Sequence, residues 1–137
     1  MRTLATALFV LFAVATSARA DGSSWETLAR AAGTYEGRAA SGGGIVPVEM
    51  ALESGADGSL AGSYSFRQAG TTFHGTLSHG RVTGPADLVF IWHDDWGFGT
   101  LDIHFDAGFG SFVGSWGSLD DSSDAYPWVG IREGVAD

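Results

Sequence analysis

The sequence predicts an all-β chain: an eight-stranded antiparallel up-and-down β-barrel, wound as a meander, with one short N-terminal helix. Three observations carry this reading. From Gly33 onward, apolar residues recur with a period of two, the pattern of extended chain with one face turned toward a core. Three hairpins, aligned separately, agree on a single apolar face. Eight short segments within roughly 100 residues would also leave two open edges and one greasy face as a flat sheet, and closure removes both. A two-sheet β-sandwich is the alternative architecture.

The elements follow in chain order. Ser23-Ser24-Trp25-Glu26 fits a capping box, good helix formers follow, and Gly33 is a natural stop, so a helix is expected over Ser24–Ala32. Strands are expected at Thr34–Ala40, Ile45–Glu53, Ser59–Phe66, Thr71–His79, Asp87–His93, Phe98–Asp106, Ser111–Gly117 and Trp128–Glu133. The second alternates cleanly, with Val46, Val48, Met50 and Leu52 on one face; Pro47, which cannot donate to a ladder, marks the start or edge of a pairing. Connections are expected at Ala40–Gly44, Ser54–Gly58, Gly80–Pro85 and the acidic stretch Ser118–Pro127. With equal short loops, Tyr64 opposes Phe73 and Leu60 opposes Leu77. Trp92 then opposes Gly99, Phe90 opposes Leu101, Phe105 opposes Phe112 and Leu101 opposes Trp116. A slip of one residue would send each of these side chains to the wrong face, so their agreement defines an inside.

Composition narrows the function. The 137 residues suit one domain. With no cysteine, a disulfide scaffold, a thiolate zinc site, an iron–sulfur cluster and a cysteine nucleophile are excluded. A net charge of −9 argues against nucleic acid and against a polybasic membrane-surface binder. Residues 1–20 read as a cleavable signal peptide: Arg2 supplies the positive start, Leu4–Thr16 the apolar run, and Ala18-Arg19-Ala20 the small residues before Asp21. Its removal takes away two arginines and no acid. Residues 21–137 then form a single exported barrel domain, periplasmic or secreted, from a bacterium. Stable membrane insertion is not expected, because the outward positions include Glu49, Glu53, Asp102, His104 and Asp106.

Gly33-Thr34-Tyr35 on the first strand and Arg132, within Trp128-Val129-Gly130-Ile131-Arg132 on the last, resemble the calycin group of lipocalins, fatty-acid-binding proteins and avidins. In that group a short helical turn precedes G-x-W on the first strand, and a basic residue on the last strand closes over the ring; here Tyr35 stands in place of the tryptophan. The resemblance implies a small β-barrel in which Arg132 closes the barrel by stacking on Tyr35. Residues 55–64 also look like the second hairpin of bacterial avidins, but Phe66 stands where that family's hairpin places a serine, so biotin binding is not implied. The glycine- and tryptophan-rich pattern over 92–99, 112–117 and 128–132 also looks like small exported bacterial proteins of unassigned function.

The inner face is the main candidate for binding. Tyr35, Tyr64, Phe66, Phe73, Phe90, Trp92 and Trp116 are the expected ligand-lining residues, with Phe105 and Phe112 on the same face and Gly62, Gly75, Gly99 and Gly114 between them. The glycines either leave space for a ligand or relieve strand curvature beneath covering rings. His93-Asp94-Asp95-Trp96 forms a mouth loop that reads as an acid–base site or as a solvated acidic turn, with Trp96 either contacting a partner or folding back over the opening. The four histidines His74, His79, His93 and His104 have no HxH or HExxH spacing, and His74 and His79 are expected on opposite faces, so no metal is expected. Asp120, Ser122 and Asp124 match the start of an EF loop, which fails at Ala125 and Ile131. No GxSxG elbow or helix-opening GxGxxG is present, and no cofactor is expected.

These readings converge on an exported, non-enzymatic barrel that binds a small apolar or aromatic ligand in its interior. One alternative is a ligandless protein-interaction or inhibitor domain working through its loops or through an outer face that carries Val89, Ile91, Phe98 and Val113, with homo-oligomerisation as one form of it. The other is a weak enzyme at the mouth, with His93 and Asp94 or Asp95 as acid and base.

Overall fold

Each alternating segment of the sequence forms a strand, and each strand pairs with its neighbour in sequence. The computed structural model describes residues 25–119 and 121–134, with the side chains of residues 121–124 outside the description. The signal-peptide segment 1–20 and the capping residue Ser23 therefore lie outside the described residues. Among the described residues, a single helical stretch spans residues 25–31. The strands are β1 (Gly33–Ser41), β2 (Gly44–Ser54), β3 (Leu60–Gln68), β4 (Thr71–Gly84), β5 (Asp87–Asp94), β6 (Gly97–Phe105), β7 (Ser111–Ser118) and β8 (Asp121–Arg132). They order β1 to β8 around one closed antiparallel barrel. Closure runs from Tyr35↔Arg132 to Ala39↔Trp128, so the sheet has no sandwich-type split.

The two described strand prolines sit where a ladder can spare an N–H. Pro47 pairs with Arg38 of β1 and lies just beyond the β2–β3 ladder, which begins at Val48. Pro127 pairs with Ser115 of β7 and lies just beyond the β1–β8 ladder, which begins at Trp128.

The registers of the β5–β6 and β6–β7 hairpins are those the apolar face requires: Trp92↔Gly99, Phe90↔Leu101, Leu101↔Trp116 and Phe105↔Phe112. The β3–β4 hairpin differs by two residues. Phe66 opposes Phe73, Tyr64 opposes Gly75 and Gly62 opposes Leu77, in place of Tyr64 with Phe73 and Leu60 with Leu77. The cause is a two-residue turn in which Ala69 and Gly70 both take positive φ, of 54° and 83°, the conformation whose twist matches a tight hairpin. A shift of two preserves the face, so the inner row is unchanged.

Two expected connections are instead strand. β4 runs through Gly80 to Gly84, past the expected end at His79, with its register against β5 slipping between Ser78 and Arg81. His79 takes a φ of 55° at this bulge, and a Cβ on Gly80 would lie 2.7 Å from both the Leu60 carbonyl and the Phe90 ring. Gly80 thus marks a close approach and not a strand end. The bulge also leaves His79 exposed like His74, where the alternation alone puts them on opposite faces. Likewise β8 begins at Asp121 and not at Trp128, because the stretch read as an acidic loop pairs with β7 as far as Ser118↔Asp121.

The interior is filled by side chains, as expected for a barrel of this strand number. Tyr35, Phe90, Phe105, Leu60, Leu77, Leu88 and Leu101 are almost wholly buried. Tyr35 packs against Phe105 and Phe112 at centroid distances of 5.8 and 5.5 Å, and Phe105 stacks on Phe109 at 4.8 Å. The glycines of the inner face are covered and leave no space. A Cβ on Gly75 would collide with the Tyr64 ring, and one on Gly99 would meet the Gly117 carbonyl.

The helix plugs one end of the barrel, where the turns 55–59, 85–86 and 106–110 gather. Thr27 donates to the Pro85 carbonyl at 2.9 Å and Arg30 to the Ala107 carbonyl at 3.1 Å, while the Trp25 ring lies against Gly58. Arg132 ties this end together. Its guanidinium donates to the carbonyls of Phe109 (2.9 Å), Ala32 (2.8 Å) and Arg30 (2.7 Å) and to the Tyr35 hydroxyl (2.7 Å), and it stands 4.9 Å from the centroid of the Tyr35 ring. Tyr35 in turn donates to the Ala31 carbonyl at 2.6 Å. One planar cation therefore satisfies carbonyls at the end of the helix, in the β6–β7 turn and at the entry to β1.

Arg132→Ala is expected to lower unfolding stability by about 2–4 kcal/mol, because it strands partly buried acceptors. Arg132→Lys should recover only part of the loss, since an ammonium lacks the fork; denaturant midpoints measure both. A second expectation concerns acid. The Asp106 carboxylate accepts from the backbone of Gly110 (2.8 Å) and Ser111 (3.3 Å), which holds its pKa below the ordinary 3.8. Its contribution is present above that ordinary value and is lost as pH falls through the lowered one. Asp106→Asn should therefore flatten the acid limb of the stability–pH curve.

Candidate functional site

The end opposite the helix is where the turns β1–β2, β3–β4, β5–β6 and β7–β8 lie, and it is not plugged. Here the inner face opens into a cavity of about 70 Å³. Four of the five tryptophans line it: Trp92, Trp96, Trp116 and Trp128. Tyr64 and Phe66 of β3, Asp94 of β5 and the small or branched residues Ala39, Val46 and Val48 complete most of the wall.

Local structure places each group. Trp92 and Asp94 are two apart on β5, so both point inward, while His93 between them points out and is exposed. Trp92 donates its indole N–H to the Gly117 carbonyl and Trp116 to the Ala40 carbonyl, each at 3.0 Å, and the two rings meet edge-to-face at 5.4 Å. With their N–H groups engaged, these indoles offer the cavity ring carbon and not hydrogen-bond donors. Tyr64 lies over Gly75 and meets Trp128 edge-to-face at 5.2 Å. Trp96, in the β5–β6 turn, is 68% exposed yet folds back to meet Phe73 edge-to-face at 5.6 Å.

Asp94 organises the rim. One carboxylate oxygen accepts from the Trp96 backbone N–H at 2.8 Å, and the other accepts from the Tyr64 hydroxyl at 2.7 Å. Burial, and secondarily the bond to Asp94, push the Tyr64 phenol well above the usual tyrosine range, so it remains a donor. Among the described residues lining the cavity, one carboxylate and one phenol are ionisable and none is basic or a histidine.

Of the residues expected to line a ligand, the structure brings Tyr64, Phe66, Trp92 and Trp116 to the cavity. Tyr35 and Phe90 lie in the filled core, and Phe73 supports Phe66 from the side, stacked at 5.3 Å. Of the mouth loop, Asp94 and Trp96 reach the cavity; His93 and Asp95 are exposed and do not. Val46, Val48 and Trp128 also belong to the wall. Trp128 is legible in hindsight: it lies four residues from the inward Arg132, hence on the same face of β8. The four histidines are all exposed, and His104 pairs across the surface with Asp87 at 2.6 Å. A trio of exposed acids, Glu36, Glu49 and Glu133, gathers on the outer wall, away from the cavity.

No known protein family, curated protein or solved structure matches the chain.

Two outcomes test this geometry. The unfolded chain ionises its tyrosines near 10, whereas Tyr64 stays protonated in the fold, so stability should fall as pH rises above about 10. In Tyr64→Phe that alkaline limb should be shallower, as measured by denaturant midpoints at a series of pH values. Gly75→Val should displace the Tyr64 ring and cost about 1–3 kcal/mol by overpacking, with a shift in tryptophan emission as the mouth rearranges.

Proposed function

We propose that this is an exported, non-enzymatic binding module that receives a small ligand through the open end of a calycin-like barrel. The observation that carries the reading is the indole-walled cavity, at the one end the helix leaves unplugged. The size of the cavity refines the expectation. At about 70 Å³ it falls well short of the ~300–1,000 Å³ of pockets for drug-sized ligands. The ligand is therefore held by a small apolar or aromatic group at the mouth, not swallowed into the interior. The Arg132–Tyr35 stack supports the calycin-like reading, since it is the closure that this resemblance implies.

An acid–base role for His93 with Asp94 gains no support from the geometry, because adjacent strand residues face opposite sides of the wall. The interaction-domain reading has one observation in its favour. Val113 and Val129 pair across β7 and β8, and Ile131 continues the same outer face; all three are exposed.

The test is ligand-observed NMR with neutral probes graded in size from tert-butanol to indole. At least one small probe should give saturable contact that is lost in Ala39→Leu, which fills the cavity from β1. Absence of contact for every probe, or contact unchanged by Ala39→Leu, overturns the reading. Concentration-dependent dimerisation abolished by Ile131→Glu would favour the interaction domain instead.

A further inference from the structure

The chemistry of the cavity wall narrows the class of ligand, and this inference rests on the mouth-binding reading above. The wall combines four indoles, a phenol and one carboxylate, and no cationic side chain lines it among the described residues. An anionic ligand would meet uncompensated repulsion from Asp94. A neutral ligand would leave the charge of Asp94 unused. A cation meets both an opposite charge and an aromatic wall, and the negative quadrupole of aromatic rings attracts positive charge over short range.

Hydrogen-bond accounting decides which kind of cation. Primary ammonium and guanidinium groups bring several N–H donors that need acceptors once desolvated. Here the indole N–H groups of Trp92 and Trp116 each take one lone pair of the Gly117 and Ala40 carbonyls. Each oxygen of Asp94 already accepts one bond, from the Trp96 backbone and from the Tyr64 hydroxyl, so the carboxylate has about two acceptor sites left, fewer than the three donors of a primary ammonium or the five of a guanidinium. A methylated ammonium brings no such demand, and its charge is spread over methyl groups that pack against ring carbon. We propose that the mouth cavity selects a small quaternary or highly methylated ammonium head group, with Trp92, Trp96, Trp116 and Trp128 as its walls and Asp94 as its counter-charge. Trp96, the exposed indole among those lining the cavity, is placed in the β5–β6 turn by its backbone bond to Asp94, so the residue that supplies the counter-charge also positions the outermost wall.

The experiment compares choline with its neutral carbon isostere, 3,3-dimethylbutan-1-ol, and with methylammonium, using tryptophan emission of the intact protein at matched ionic strength. Choline should bind about tenfold more tightly than the isostere and more tightly than methylammonium. Asp94→Asn should weaken choline by about tenfold while leaving the isostere within about twofold. Equal affinities for choline and isostere, or a choline affinity unmoved by Asp94→Asn, overturn the ammonium assignment while leaving mouth binding intact. Absence of contact for every neutral NMR probe, which overturns mouth binding, removes the ammonium assignment with it. Far-ultraviolet dichroism checks that Asp94→Asn folds. If it does not, added sodium chloride on the native protein decides: choline affinity should fall with salt and isostere affinity should not, and a choline affinity indifferent to salt overturns the proposal.

Discussion

The inside of an eight-stranded barrel is just wide enough for its own side chains, and that limit governs the rest of this molecule. Every inward position must either fill space or yield it to a neighbour. Aromatic residues fill, and the glycine across the strand yields: Tyr64 lies over Gly75, and the Phe112 ring over Gly130. The bulge at His79 and Gly80 follows the same limit, since the strand there comes against the Phe90 ring and the Leu60 carbonyl. Close packing on this scale leaves no room for a central ligand chamber. What space remains is at an end.

The two ends differ in how their polar groups are satisfied. At the helix end, Arg132 brings its donors to three carbonyls and the Tyr35 hydroxyl. That end is closed by charge-assisted bonds among groups far apart in sequence. At the mouth the indoles of Trp92 and Trp116 donate to backbone carbonyls, while Asp94 accepts from the Tyr64 hydroxyl and the Trp96 backbone; these bonds shape a hollow without filling it. The same fold thus has a structural pole, tied by Arg132, and a receptive pole, whose cavity is lined by the carboxylate of Asp94.

Much of this was legible in the sequence because period two is a direct consequence of the pleat. The inner face, the closure and six of the eight strand positions follow from it with little error at the ends. The misses have specific causes. The β3–β4 register depends on Ala69 accepting a left-handed conformation that glycine or asparagine would have advertised more clearly. The extension of β4 hides behind a glycine that looks like a stop. The start of β8 is masked by acidic and serine residues whose composition says loop, while pairing with β7 makes them strand. The site was half visible. Alternation separates Asp94 from His93 without coordinates, but the depth at which the core ends and the cavity begins depends on ring packing that no pattern encodes.

The pairing of Tyr35 with Arg132 has a consequence for the nascent chain. The first strand can complete its second ladder only when β8 has arrived, so until residues 128–132 emerge it remains an unprotected edge. Such a chain cannot mature segment by segment from its beginning. Loss of β8 would leave both β1 and β7 as open edges, ready to join a neighbouring molecule.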